Sequence, residues 1–311
     1  MAKNERKNRK VIVIINIIVS VLLIGFSIYN FKIYDKKLLK LEQLEKNYDE
    51  VELKFSDKNK ENEELKDKIN FLNNLDKETD ILKQEIFSLA KNLEDDIIAK
   101  KSNKKIAYLT FDDGPYYLTH KYLDVLKKHS VKATFFTIGS NGEKCYDKKT
   151  ENCYNILKNI SDAGHTIGNH TYHHLVSNRY IYKSASNYIT SLKRQENLIK
   201  DRTGGYITNI TRFPGGSATA GRLKNSIINE LRKNNYGWVD WTAQDGDGGY
   251  LANKTTGMNN LKSSINENIE VVLLHDYSNV TLAILPDIIT YLESKGYILL
   301  PLFYESNMIN K

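Results

Sequence analysis

Two acidic residues stand side by side at the end of an apolar run: Ile106 to Phe111 is followed at once by Asp112, Asp113, Gly114 and Pro115. The run is β-prone and Asp-Gly-Pro stops it, which puts both carboxylates at a strand C-terminus, where parallel α/β folds carry their active sites. A plain surface turn can also read Asp-Gly-Pro, and the doubled Asp argues for more than a turn. Further along, His170, His173 and His174 fall within five positions after the strand-like Thr166-Ile167. Such a cluster suits a borderline-soft divalent cation, and a set of two His and one Asp leaves coordination positions open for chemistry; a surface accident is the alternative. His275 ends another apolar run, Val271 to Leu274. There it can serve as an acid or base, or simply cap a buried strand. Leu273, two residues earlier and on the same strand face, would border a small apolar pocket.

Four segments resemble, in order, the motifs of the polysaccharide deacetylase family (NodB homology, carbohydrate esterase family 4). They are Thr110-Phe111-Asp112-Asp113-Gly114-Pro115, His170-Thr171-x-x-His174, Arg212-Phe213-Pro214-Gly215-Gly216 and Leu273-Leu274-His275-Asp276. The resemblance implies that Asp113, His170 and His174 hold one divalent metal ion, with zinc the default and cobalt or nickel compatible with the same donors. It makes Asp112 the general base for metal-activated water and His275 the general acid. Asp112 and Asp113 alternate in direction at a strand end, one toward metal and one toward water. Arg212 is then the partner that orients Asp112, and the Gly215 N–H helps to bind the tetrahedral oxyanion. His173 occupies a variable place and is assigned no metal role.

The remaining family motif departs from its usual form. Aligning Trp241 with the aromatic that opens it makes Trp241 a substrate-binding residue. That alignment puts Asp247 in the place of the acid that supports Arg212, with Gly248 where a Trp is expected. Asp240, which immediately precedes a Trp, is the rival, and Asp245 is a third acid in the same stretch.

Strands must carry these residues. The pattern of apolar runs and breakers predicts strands at 106–111, 132–138, 165–169, 208–212, 236–242, 270–274 and 296–302. Helices are expected at 119–129, 153–163, 184–203, 221–234, 258–268 and 280–294. Regular alternation argues for a closed parallel sheet, and seven strands match the distorted (β/α)7 barrel that the resemblance implies for residues 101–305.

The first hundred residues are of another kind. All four prolines and every glycine but Gly25 lie beyond residue 100, so this part reads as almost unbroken helix. Val11 to Tyr29 carries no charge and as a helix would rise roughly 28 Å, enough to span a hydrocarbon core. Lys3, Arg6, Lys7, Arg9 and Lys10 precede it, so residues 1–10 form a cytoplasmic tail, 11–31 a signal anchor, and the rest lies outside a single-pass cell membrane. A cleaved signal peptide is the alternative, without a clear small-x-small site. Residues 36–100 read as a helical coiled-coil stalk, with a seam from Leu44 to Leu72 and a second phase through Leu82, Ile86, Leu89, Leu93 and Ile97. It would hold the outer domain off the bilayer and could pair two copies of the chain; a single charged helix is equally compatible. The whole net charge of +7 is accounted for by residues 1–40, so nothing in the charge points to nucleic acid. Cys145 and Cys153, the only cysteines, could close a short local disulfide loop.

The substrate expectation follows from location. An exported, tethered deacetylase would meet peptidoglycan or another N-acetylated surface glycan, with N-acetylglucosamine as the sugar. An O-acetyl esterase and a non-catalytic wall-binding scaffold are the competing readings.

Overall fold

The computed structural model describes residue 82 and residues 84–147, 155–176 and 180–311. The chain divides into two compact units, Met1–Leu93 and Glu94–Lys311. Of the first, the described residues from 84 onward are helical, and helix α1 runs over 84–98. The expected membrane segment and the Leu44–Leu72 seam lie outside the described residues. Among the described residues no helix is long and apolar enough to cross a membrane.

The second unit is organised by β1 (Lys105–Asp112) and β7 (Ile269–His275), which are buried along nearly their whole length. Such unbroken apolar strands require cover on both faces, which a parallel sheet wrapped by helices supplies. The other strands are β2 (Thr134–Thr137), β3 (Thr166–Asn169), β4 (Ile210–Thr211), β5 (Gly237–Trp238), β6 (Ala243–Gln244) and β8 (Tyr297–Leu300). Their order is β5-β4-β3-β2-β1-β7-β6, with β8 also pairing β1, and every pairing between these strands is parallel. All strands therefore end on one side, and the β1–β7 register sets Asp112 opposite His275.

The sheet is an open half-barrel, not the closed seven-stranded barrel read from the pattern. The expected strand at 236–242 is two short strands: β5 pairs β4, then the chain crosses to the far edge, where β6 pairs β7. β5 and β6 do not pair with each other. Residues 239–242 thus join the two edges covalently where a closed barrel would have a hydrogen-bonded ladder.

Strand alternation sorts the side chains into two sets. Ala107, Leu109 and Phe111 of β1, with Val272 and Leu274 of β7, enter the large outer core. They meet α2 (Thr119–Lys128) and α8 (Asn279–Ser294) through residues such as Tyr122, Leu126, Ile284 and Ile288. Phe111 packs edge-on to Tyr122 and stacks on Phe135 at 5.2 and 5.0 Å. The even residues Tyr108, Thr110 and Asp112 face the other way. At the lower part of that face the buried Glu94 carboxylate accepts from Tyr108 Oη (2.5 Å), Ser306 Oγ (2.6 Å) and the Asn307 N–H (2.6 Å), so a charge removed from water keeps its hydrogen bonds.

The remaining helices are α3 (Gly139–Asp147), α4 (Ile156–Asp162), α5 (Ala185–Thr203), α6 (Lys224–Lys233) and α7 (Lys254–Ser264). α3 was not expected: its segment carries two glycines and no helical apolar period. Cys145 on it is disulfide-bonded, and Cys153 lies outside the described residues.

His165, at the entry to β3, gives the fold a pH dependence. It is buried, and its Nδ1 accepts the Ala133 N–H at 3.0 Å. Burial, with Lys132 nearby, pushes its pKa down to about 3. The unfolded chain takes up this proton near pH 6.5, so its contribution to stability is complete above that pH and is lost as pH falls toward 3. Urea unfolding of the metal-free chain should show roughly 2 kcal/mol less stability at pH 5 than at pH 7 from this residue. In His165→Asn, which keeps an acceptor for Ala133, that part of the slope should vanish; an unchanged slope would sink the assignment.

Candidate active site

At the C-terminal end of the sheet, β1 delivers Asp112 and the β1–α2 loop delivers Asp113. The two do not diverge as strand alternation suggests. Asp113 adopts a left-handed φ of 71°, which swings its carboxylate back beside that of Asp112. Asp112 Oδ2 lies 3.6 Å and Asp113 Oδ1 3.5 Å from His170 Nε2. His174 Nε2 is 3.3 Å from the same Asp113 oxygen. Thr171 and His174 are also left-handed, at φ 64° and 41°. These unfavourable conformations sit together at the site and are held by neighbours: Asn169 Oδ1 accepts the Thr171 N–H at 2.9 Å, and Asn141 Nδ2 donates to the Asp113 carbonyl at 2.8 Å.

The donor set fits a cation. One ligand atom from each of Asp113, His170 and His174 lies within 4.8 Å of the others. Asp113 Oδ1 is buried without a hydrogen-bond partner among the described residues, an expensive state for a carboxylate oxygen that a metal ion would relieve. His170 Nδ1 donates to the Arg212 carbonyl at 2.8 Å, which fixes the tautomer and leaves the Nε2 lone pair facing the cluster. Burial pushes the His170 pKa down to about 3, so the ring is neutral, as a ligand must be. His173 is not in this set; its ring packs edge-on against Tyr172 and Tyr180.

Arg212 is fully buried below the cluster. Its Nη1 donates to Asp112 Oδ1 at 2.8 Å and to Thr110 Oγ1 at 2.7 Å, while Nε and Nη2 donate to the carbonyls of Val239 and Asp240 at 3.2 and 3.1 Å. Its guanidinium lies 4.3 Å over the Phe136 ring. Burial pushes the Asp112 carboxyl above its ordinary range, against the pull of Arg212 and His275. The result is a fixed carboxylate with raised basicity.

Opposite stands His275. Its Nε2 is 3.8 Å from Asp113 Oδ2. Its Nδ1 donates to Asp247 Oδ1 at 2.6 Å, and its backbone N–H donates to Asp247 Oδ2 at 2.9 Å. Burial alone would lower the His275 pKa, but the Asp247 hydrogen bond and charge, with Asp112 and Asp113, hold it up at about 9. Asp247 is therefore not the support of Arg212 that the motif alignment assigns it. No carboxylate but Asp112 reaches the guanidinium among the described residues; backbone carbonyls do that work. The rival Asp240 contributes its carbonyl, while its carboxylate accepts from the Ser217 N–H and Oγ. Asp245 shares Thr281 Oγ1 with Asp247, at 2.8 and 2.6 Å, and burial plus the Asp247 charge push its pKa up to about 7.

The pocket residues fall around this centre. Leu273 is buried on the His275 face of β7. Trp241 is half-buried against Gly216, where any Cβ would come within 2.9 Å of its ring. Gly215 is exposed at φ 71°, and its N–H donates to no group among the described residues.

Residues 99–236 match the family model described as polysaccharide deacetylase. A peptidoglycan-N-acetylglucosamine deacetylase of Bacillus cereus is 33% identical over 216 residues, 67% of this chain and 72% of that protein. The chain belongs to the polysaccharide deacetylase family. The catalytic domain of peptidoglycan N-acetylglucosamine deacetylase from Eubacterium rectale superposes with a TM-score of 0.60 at 30% identity, covering 67% of this chain and 93% of that one. The chain spans 65%, 68% and 72% of the lengths of three curated relatives. These matches make the second unit an enzymatic deacetylase domain. The fold alone does not decide activity, since a further solved neighbour is a mutant of a family pseudoenzyme with restored activity (26% identical, TM-score 0.52, covering 63% of this chain and 65% of that one). This polysaccharide deacetylase keeps Asp112, Asp113, His170, His174 and His275 together at the end of its sheet.

The His275–Asp247 pair can be tested without turnover. In metal-free protein followed by NMR, His275 should titrate above its ordinary value, and in Asp247→Asn it should titrate markedly lower, because burial persists while the Asp247 hydrogen bond and charge are gone and only Asp112 and Asp113 still raise it. An equal titration in both proteins would remove Asp247 from its role.

Proposed function

We propose that the domain hydrolyses the acetamide of N-acetylglucosamine residues in peptidoglycan, releasing acetate and leaving a free amine. The observation that carries this reading is the placement of a carboxylate and a histidine both beside one ligand set. Asp112 Oδ2 and His275 Nε2 each lie within 4 Å of a ligand atom, at 3.6 Å from His170 and 3.8 Å from Asp113.

A divalent cation held by Asp113, His170 and His174, with zinc the first expectation, would supply water of lowered pKa and polarise the acetyl carbonyl. The protein's own groups perform the proton transfers. Asp112, oriented by Arg212, accepts a proton from the attacking water as its oxygen bonds to the acetyl carbon. The Gly215 N–H is available to the oxyanion that develops. His275, charged and held by Asp247, gives its Nε2 proton to the nitrogen as the C–N bond breaks. Leu273 and Trp241 border the acetyl group and the sugar. The names of the B. cereus and E. rectale relatives support peptidoglycan as the glycan. The uncharged stretch from Val11 to Tyr29, with basic residues before it, supports a membrane tether that presents the domain to the wall outside the cell. The heptad spacing of apolar residues from Leu44 to Leu72 supports a spacer, through which two chains could pair.

Purified protein should release acetate from N-acetylglucosamine oligomers and peptidoglycan, and lose this activity with chelator. Asp112→Asn should lower turnover roughly a hundred- to ten-thousand-fold with bound metal unchanged, whereas His174→Ala should lose the metal as well. Release from O-acetylated xylan but not from the N-acetyl substrates would reassign the bond to an ester.

A further inference from the structure

Beside the acid, a chain of aromatic rings leads out of the site. The Tyr277 ring centre is 5.1 Å from that of His275, Tyr116 is 6.2 Å from Tyr277, and Tyr117 is 5.2 Å from Tyr116. Tyr277 is half-buried, while Tyr116 is 41% and Tyr117 55% exposed. Isolated exposed aromatic residues are ordinary on a protein surface. Three in ring-to-ring succession from His275, turned by 39°, 63° and 46° from one ring to the next, form a stepped apolar ridge where ligand is expected.

The ridge is also built to stay in place. Gly114 approaches Asp276 so closely that a Cβ would lie 2.2 Å from its Oδ2. Thr119 Oγ1 donates to that same oxygen at 2.5 Å and accepts the Tyr116 N–H at 2.7 Å. The Thr119 N–H in turn donates to the Tyr116 carbonyl at 3.0 Å. A buried carboxylate thus anchors the backbone that carries two solvent-facing rings, so little ordering cost remains when a ligand arrives.

We propose that Tyr277, Tyr116 and Tyr117 form a sugar subsite, which stacks the pyranose rings next to the residue that loses its acetyl group. The ligand class follows from the surface. The tyrosine faces are flat, apolar and edged by hydroxyls, which matches the C–H face and hydroxyl rim of a pyranose. The spacing of successive rings is about the width of one sugar, and the row is continuous with His275, so its occupant is the same glycan chain. This rests on the glycan reading above and extends it: recognition involves several sugars, not the acetyl group alone.

The test compares the metal-loaded protein with Tyr117→Ala and Tyr116→Ala/Tyr117→Ala on an N-acetylglucosamine tetramer and on 4-nitrophenyl acetate. The double variant should raise KM for the tetramer about tenfold, as expected for losing one to two stacked aromatic contacts, with kcat and the aryl acetate rate unchanged. Tyr117→Phe should behave as the parent. Tetramer binding is measured in parallel by calorimetry on Asp112→Asn protein with and without the two alanines. Tyrosine-dependent binding without acetate release by the parent would uphold the subsite and overturn the deacetylase reading. Equal tetramer KM and affinity in parent and double variant, or no tetramer binding to the parent, would overturn the subsite.

Discussion

The buried guanidinium of Arg212 is the constraint around which the domain is arranged. A cation removed from water must be answered on every side, and its answers come from two separate parts of the chain: Thr110 and Asp112 on β1, and the carbonyls of Val239 and Asp240. Those two carbonyls belong to the crossing that joins β5 and β6, which do not pair with each other. One side chain therefore ties the open side of the half-barrel to its central strand. The same residue's own carbonyl accepts from His170 Nδ1. Arg212 thus aims Asp112 with its side chain and sets the tautomer of His170 with its backbone.

Above this point the balance of charge turns negative. Asp112, Asp113, Asp245, Asp247 and Asp276 crowd the end of the sheet, with Arg212 and His275 as the cations among them. Burial raises Asp245 and Asp276 to about 7, and for Asp276 the nearby Asp113 adds to the effect. An arrangement so rich in carboxylates is electrostatically incomplete, and a bound divalent cation is the simplest completion. Thr281, in the first turn of α8, which Ser278 caps, sets its hydroxyl 2.8 Å from Asp245 and 2.6 Å from Asp247.

Much of this was legible because the chemistry sits in short contiguous motifs at strand ends. The Asp112-Asp113 step, the His170–His174 pair and His275 all fall where an apolar run stops, and β1, β3 and β7 lie within a residue or two of their expected bounds. The partner of Asp247 was not legible. It depends on the β6–β7 register, which sets Gln244 opposite Leu273 and so carries the following loop past His275; no local pattern encodes that alignment. The split of residues 236–242 was hidden for a similar reason, since an apolar run looks the same whether it pairs once or changes edges. Asp113 departed from strand alternation because its left-handed φ is a property of the turn and not of the run before it. The expected N-terminal anchor and the expected Leu44–Leu72 seam lie outside the described residues.

The Glu94 carboxylate, bonded to Tyr108 and to the Ser306–Asn307 segment, sits on the face of β1 that also bears Thr110 and Asp112. The strand itself is about 25 Å long, with its entry at one end and the reacting groups at the other. The bonds that hold Glu94 share no residue with the loops that carry His174, Gly215 or Tyr116, so the segment that opens this unit is fastened apart from its candidate site.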